Sequence, residues 1–251
     1  MSLVTTPAIL LRTHPYSETS QVLRFYSRDM GVLGVLAKGV RKTGGRHGGA
    51  LSTLAEGALT FHFRETRELQ TFTDFSALKP RRGLGRDPKR FAGGAVLGEL
   101  ILQHAGSDGN PDLFACLSSG LDALEVTAPE RLLTNILLEV WSLIGKLGYT
   151  PSIRHCVACG NEIAAGEMGR FDFAEGGIRC PHCLTAAQGP RLGPRARGQL
   201  KALIERSLEE DLIRPRAHLR LASDFITYHI SGGTPLRSMG VLEKLIPKDH
   251  A

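Results

Sequence analysis

Four cysteines constrain this chain more than any other feature. Cys156-Val157-Ala158-Cys159 and Cys180-Pro181-His182-Cys183 are two CxxC pairs separated by 20 residues. Two thiolates at this spacing grip one side of a metal as a knuckle, and a second knuckle completes a tetrahedron. Zn²⁺ favours four soft sulfurs at about 2.3 Å. The stretch between them, Arg170-Phe171-Asp172-Phe173-Ala174-Glu175-Gly176-Gly177-Ile178-Arg179, reads as a hairpin with a Gly-containing turn that would bring the knuckles together as a ribbon. Cys156, Cys159, Cys180 and Cys183 are therefore the expected ligands of one structural Zn²⁺ ion. Four cysteines fill the coordination sphere and leave no position for an activated water. Disulfides are the competing use of such cysteines. The start of the chain shows no basic segment followed by an apolar one, so a reducing cytoplasmic setting is expected, where disulfides are disfavoured. His155 and His182 read as surface histidines, and Cys116 as a thiol in the apolar stripe of a helix.

At 251 residues, with 42 % hydrophobic and 22 % charged side chains, the chain can bury a core and is long enough for one or two domains plus an accessory module. No stretch approaches the roughly 20 apolar residues that span a bilayer, so no membrane association is expected. The net charge of +6 is unevenly spread. Residues 1–90 carry 15 basic and 7 acidic side chains, a net of +8, and the remainder carries a slight negative balance. A one-sided basic region attracts polyanions, of which nucleic acid is the commonest soluble kind.

Within the first 79 residues, Ile9–Leu11, Val22–Tyr26 and Val32–Ala37 are rich in strand-forming residues. Leu59, Phe61 and Phe63 alternate with polar residues at period two, and a fifth run spans Leu69–Phe75. Asp29-Met30-Gly31 is a turn signal. Five short strands in so few residues suit a small closed barrel, because closure removes exposed edges. An OB-type barrel has this size, and an SH3-like barrel also fits. Residues 79–88 read as a linker from their Pro, Gly and Arg content. Helical spacing follows in Phe91, Ala95, Leu97 and Ile101, then in Leu113, Cys116, Leu117, Leu121 and Leu124, and then in a long stripe from Leu132 to Leu147 that ends at Gly148. It returns after residue 190. The expected class is α+β: a barrel over 1–79, a helical body over 80–150 and 191–251, and an inserted four-cysteine ribbon over 151–190.

Two basic clusters are the candidate nucleic-acid contacts. The first, Lys38-Gly39-Val40-Arg41-Lys42-Thr43-Gly44-Gly45-Arg46-His47-Gly48-Gly49, has four cations, five glycines and no acid. Glycine permits close backbone approach, and Lys38, Arg41, Lys42 and Arg46 supply phosphate contacts. The second comprises Lys79, Arg81, Arg82, Arg86, Lys89 and Arg90. Of the barrel aromatics Phe25, Tyr26, Phe61, Phe63, Phe72 and Phe75, most are expected in the core. Tyr26 and His62 are the candidates for base stacking. GxSxG, HExxH, a Walker loop, a strand-to-helix GxGxxG and the HxE…PCxxC order of zinc deaminases are all missing, so catalysis is not expected.

Three stretches carry a family resemblance. Ile9-Leu10-Leu11-Arg12-Thr13-His14-Pro15-Tyr16-Ser17-Glu18-Thr19-Ser20-Gln21-Val22-Leu23 resembles the opening motif of the RecO family of bacterial recombination mediators and DNA-repair proteins. Gly31–Arg41 is similar to the family's "lvakGaR" segment, with Val40 in the usual alanine place, and Leu236-Arg237-Ser238 is similar to its "lkSr" element. The resemblance spans nearly the whole chain. It implies an OB-fold N-terminal domain, binding of single- and double-stranded DNA, and annealing of complementary strands. It also implies work with RecR to help RecA displace single-strand-binding protein, at a cytoplasmic, nucleoid-associated location. By motif it points to Lys38 and Arg41, while the other cations rest on charge alone. The cysteine module occurs in some members and not in others, which implies a scaffold role. A zinc-ribbon OB-fold RNA-binding or transcription factor, and a zinc-dependent nucleic-acid enzyme, are the rival readings.

Overall fold

The computed structural model describes residues 2–40, 51–186 and 189–247. It falls into two compact units, Met1–Val126 and Thr127–Ala251.

The first unit begins with five strands: β1 (Ser2–Pro15), β2 (Gln21–Ser27), β3 (Gly31–Ala37), β4 (Glu56–Phe63) and β5 (Leu69–Lys79). All five lie where strand-forming runs and, at β4, period-two alternation place strands, although β1 is much longer than its apolar centre. That length closes the sheet. Ser2–Ile9 of β1 pair antiparallel with β4, and Ala8–Pro15 pair antiparallel with β2. The register slips between Leu10 and Arg12, a bulge that bends the strand from one neighbour toward the other. β3 pairs β5 in parallel, and the barrel closes in the order β1-β2-β3-β5-β4. Alternate side chains fill it: Ala8 and Leu10, Leu23 and Phe25, Leu33, Val35 and Ala37, Leu59 and Phe61, with Phe75 stacked at 5.1 Å on Phe25.

Residues 79–88 are ordered structure rather than a loose tether. Arg81 and Leu84 are buried, a 3-10 turn covers Leu84–Arg86, and the Asp87 carboxylate accepts from the backbone N–H groups of Lys89 and Arg90. That cap, with Pro88 in the first turn, starts α1 (Pro88–His104). The buried face of α1 matches the hydrophobic spacing at Leu97 and Ile101 and departs from it at Phe91. Phe91 is 42 % exposed, whereas Ala92, Val96, Leu97, Leu100 and Ile101 are buried together with three glycines. A Cβ at Gly94 would lie 2.6 Å from Leu54 Cδ1, so the missing side chain there lets the helix pack closely on Leu54. α2 (Pro111–Val126) packs on α1 and carries the half-buried Cys116. The compact unit therefore includes both helices and ends at Val126, beyond the boundary that composition suggests.

Arg81 fastens this arrangement. Its side chain is 1 % exposed and its φ is +42°, a left-handed conformation that costs a non-glycine residue about 1–3 kcal/mol. The guanidinium donates to Glu56 Oε2 at 2.5 Å, Asp122 Oδ1 at 2.7 Å, the Leu54 carbonyl at 3.0 Å, and both Oγ and the carbonyl of Ser118. Barrel and α2 thus share one buried cation.

The second unit holds α3 (Leu132–Lys146), α4 (Pro194–Ile204), α5 (Pro215–His229) and α6 (Arg237–Leu245). It also holds a small sheet of β6 (Gly169–Asp172), β7 (Gly177–Arg179) and β8 (Arg191–Leu192) in the order β7-β6-β8. The long apolar stripe expected up to Leu147 is the buried face of α3. Trp141 on α3 stacks on Phe225 of α5 at 5.3 Å, and Phe225 meets Phe171 of β6 at 6.0 Å, so the cysteine module is seated on the helices by a continuous aromatic contact. Buried Glu139 receives both Nη atoms of Arg206 at 2.7 and 2.9 Å.

Arg81→Met is expected to destabilise the chain by about 3–5 kcal/mol, because it removes the buried cation of Glu56 and Asp122 and leaves them only the part-exposed Lys79. Urea unfolding measures this, and a change under 1 kcal/mol would contradict the role. The acid side follows from Asp122. Burial pushes its carboxyl up, but hydrogen bonds from Lys79 and Arg81 prevail and hold it below its usual 3.8. The stabilisation is present above pH 3.8 and is lost as pH falls through the lowered value.

Candidate metal centre and nucleic-acid interface

The cysteine module is built by backbone pairing. Ser152 bridges Gly177 in parallel, with Ile178 N–H donating to the Ser152 carbonyl at 2.9 Å and Val157 N–H donating to the Ile178 carbonyl at 3.0 Å. The first knuckle is thereby laced to β7, and β7 runs directly into Cys180. Arg179 on β7 donates to Asp172 on β6 at 2.6 Å and locks the hairpin, which turns at Phe173–Gly176 as its glycine content indicates.

The four sulfurs of Cys156, Cys159, Cys180 and Cys183 lie within 4.8 Å of one another, and Cys159 Sγ is 3.9 Å from Cys180 Sγ. A tetrahedron with metal–sulfur bonds of about 2.3 Å has sulfur–sulfur edges of about 3.8 Å, so the cluster has the size of a four-thiolate metal site. All four cysteines are free thiols. The set is also poised to ionise. Burial opposes charge on Cys156, yet backbone N–H groups of Cys180, Cys159 and Ala158 point at its sulfur and bring the thiol down to about 6. Cys183 is pushed up to about 12, first by its hydrogen bond with Cys180 and then by burial. A cation binding at the four sulfurs would have to displace the remaining thiol protons. Cys156 and Cys180 are buried, Cys159 is exposed and Cys183 half-buried, which leaves one side of the cluster facing solvent. His155 and His182 are exposed and lie outside the cluster.

The expected nucleic-acid contacts fare unequally. Lys38 is exposed directly after β3. Arg41, Lys42 and Arg46 lie outside the described residues. Arg82 and Arg86 are exposed and Lys89 is half-buried. Arg81 departs from the expectation: its charge is enclosed by Glu56, Asp122 and Ser118 and is not available to a phosphate. Arg90 is half-buried and donates to the carbonyl of Leu124 at 2.5 Å, closing the C-terminal end of α2. Lys79 pairs with Asp122 at 2.8 Å and Glu56 at 3.5 Å. Tyr26 is buried against Phe114 at 6.1 Å and is not a stacking surface, while His62 is half-buried. Sequence reasoning missed the acids that sequester these cations. Glu56 and Asp122 stand 25 and 41 positions from Arg81, and no local pattern marks them.

The profile described as Recombination protein O N terminal matches residues 1–81, and that described as Recombination protein O C terminal matches residues 85–238. The chain belongs to the RecO family. Among RecO relatives, a DNA repair protein RecO from Rubrobacter xylanophilus is 32 % identical over 87 % of this chain and 92 % of its own length. One from a Nocardioides species is 29 % identical over 94 % and 98 %, and one from Salinibacter ruber 27 % identical over 97 % and 95 %. RecO is a family of DNA-repair mediators and not of enzymes, so binding surfaces carry its function. Among the described residues no helix is long and apolar enough to cross a membrane.

Cobalt(II) added to the reduced, metal-free protein should give thiolate-to-metal charge transfer in a tetrahedral spectrum that saturates at a single ion per chain. The titration should weaken as pH falls and the thiolates take up protons, and Cys156→Ser should weaken it and lower the charge-transfer intensity. A spectrum without sulfur charge transfer would remove the assignment.

Proposed function

We propose that the chain is a DNA-binding recombination mediator in DNA repair. In this reading it binds single- and double-stranded DNA, anneals complementary strands, and with RecR helps RecA load onto DNA coated by single-strand-binding protein. The observation that carries this reading is that RecO profiles match both halves of the chain, N-terminal barrel and C-terminal body alike. The barrel is read as an OB-type DNA-binding domain over residues 1–79. A five-stranded closed order with a parallel β3–β5 pair supports it, as does the exposed Lys38 at the mouth of the glycine-rich basic segment. The proposed contacts are Lys38, Arg41, Lys42, Arg46, Arg82, Arg86 and Lys89. Residues 151–190 are read as a zinc ribbon. Its four-sulfur donor set suits Zn²⁺, which would cross-link Cys156, Cys159, Cys180 and Cys183 and so brace the hairpin. A cytoplasmic location beside the nucleoid goes with this role.

Annealing needs no covalent step. Complementary strands repel through their phosphates, and a cationic surface that neutralises part of that charge raises their local concentration. Base pairing supplies the driving force. Contact with about five phosphates gives a slope of log K against log salt near −3.5 for single strands.

Arg41→Glu combined with Lys42→Glu should weaken binding to all sequences about equally and slow annealing of strands coated with single-strand-binding protein. Anisotropy titrations across salt, with and without RecR in the annealing assay, test this. Salt-independent affinity, or loss at one sequence alone, would refute the electrostatic mode, and preference for RNA would favour an RNA-binding protein.

A further inference from the structure

Beside the barrel, a groove of about 380 Å³ opens between the outer face of β1–β2 and α1. We propose that it binds the phosphodiester backbone of a single-stranded polynucleotide, with Arg24 as the principal anchor. The proposal rests on the DNA-binding reading and adds to it a site and a path.

Arg12 and Arg24 stand directly opposite each other in the β1–β2 register, and both line the groove. Like charges facing across adjacent strands are destabilising. Half of that conflict is relieved inside the protein, because the buried Glu99 carboxylate of α1 lies 3.6 Å from Arg12. Among the described residues no carboxylate pairs with Arg24. The groove therefore keeps an uncompensated guanidinium, and an anionic ligand is what would neutralise it.

The surroundings suit a nucleotide chain. His14 and Gln103 add polar groups that can donate to phosphate or sugar oxygens, and Val22 and Leu102 offer apolar walls. Gly34 of β3 pairs with Arg24 in the β2–β3 register. The groove also runs along β1 and β2 toward the end of the barrel at which Lys38 follows β3. Pro15 pairs Gln21 and Gln21 pairs Ala37, so Lys38 follows at the same end of the barrel, four chain positions (about 13 Å) along from the Arg12–Arg24–Gly34 line. A strand lying in the groove would leave it beside Lys38.

The test uses the full-length chain and a fluorescent oligothymidylate in anisotropy titrations across salt, comparing the unaltered protein with Arg24→Gln, Arg24→Lys and Lys38→Gln. Arg24→Gln should weaken binding roughly fivefold at low salt and flatten the salt slope by about 0.7, the loss of one phosphate contact. Arg24→Lys should retain most of the slope. Because Arg24→Gln removes a like-charge clash, its thermal midpoint should stay level or rise, which a structural role would not produce. Inorganic phosphate, matched for ionic strength with chloride, should not displace the oligonucleotide. Unaltered affinity and slope in Arg24→Gln, with Lys38→Gln still weakening binding, would overturn the groove and leave the DNA-binding reading intact. No oligonucleotide binding by the unaltered protein would remove that reading itself. Arg24-dependent binding of free phosphate or of an acidic peptide, without an effect on DNA, would overturn the polynucleotide assignment.

Discussion

The Arg81 guanidinium organises the amino-terminal unit. One planar fork reaches a carboxylate and a carbonyl next to and within the barrel, and a carboxylate, a hydroxyl and a carbonyl on α2. A lysine could not satisfy so many acceptors in one plane. The backbone at Arg81 adopts a left-handed conformation to deliver the side chain there, a local strain that the charge-assisted hydrogen bonds outweigh. Because the cation is enclosed, the surface beside it is left to Arg82 and Arg86, which face outward from the same turn. Neighbouring arginines thus end in opposite settings, Arg81 enclosed and Arg82 and Arg86 exposed to solvent.

A comparable division holds at the cysteine cluster. Its position comes from ordinary β pairing: Ser152 and Val157 against β7, and β6 against β7 with the Asp172–Arg179 ion pair across them. Its chemistry comes from sulfur atoms gathered at the distances of a tetrahedral site and from N–H dipoles aimed at Cys156. The aromatic contacts of Phe171 with Phe225, and of Phe225 with Trp141, seat the module on α3 and α5. A cation held at the sulfurs would therefore stabilise a hairpin whose other face is already part of the helical core.

Local pattern was enough for much of this protein. The five barrel strands follow from strand-forming runs and, at β4, period-two alternation, α3 from its long apolar stripe, and the four-cysteine cluster from two close cysteine pairs around a hairpin. Each depends on residues a few positions apart, where backbone geometry fixes what can meet. The pattern misled at one position of α1. Phe91 sits at helical spacing from Ala95 but faces outward, and the face toward Leu54 includes Gly94, which carries no hydrophobic signal. It misled again at residues 79–88, where proline, glycine and arginine form a capped, partly buried connection.

Sequence alone determined the element types, the sulfur ligand set and the excess of positive charge in the first ninety residues, since these are properties of neighbouring positions and of composition. Tertiary structure decided which positive charges remain available. Arg81 was enclosed by Glu56 and Asp122, Arg12 was matched by Glu99 of α1, and Arg24 was left without a carboxylate partner among the described residues. Charge acts through distance in space, and the acids that neutralise a cation are brought to it by chain folding over tens of residues, which no local spacing encodes.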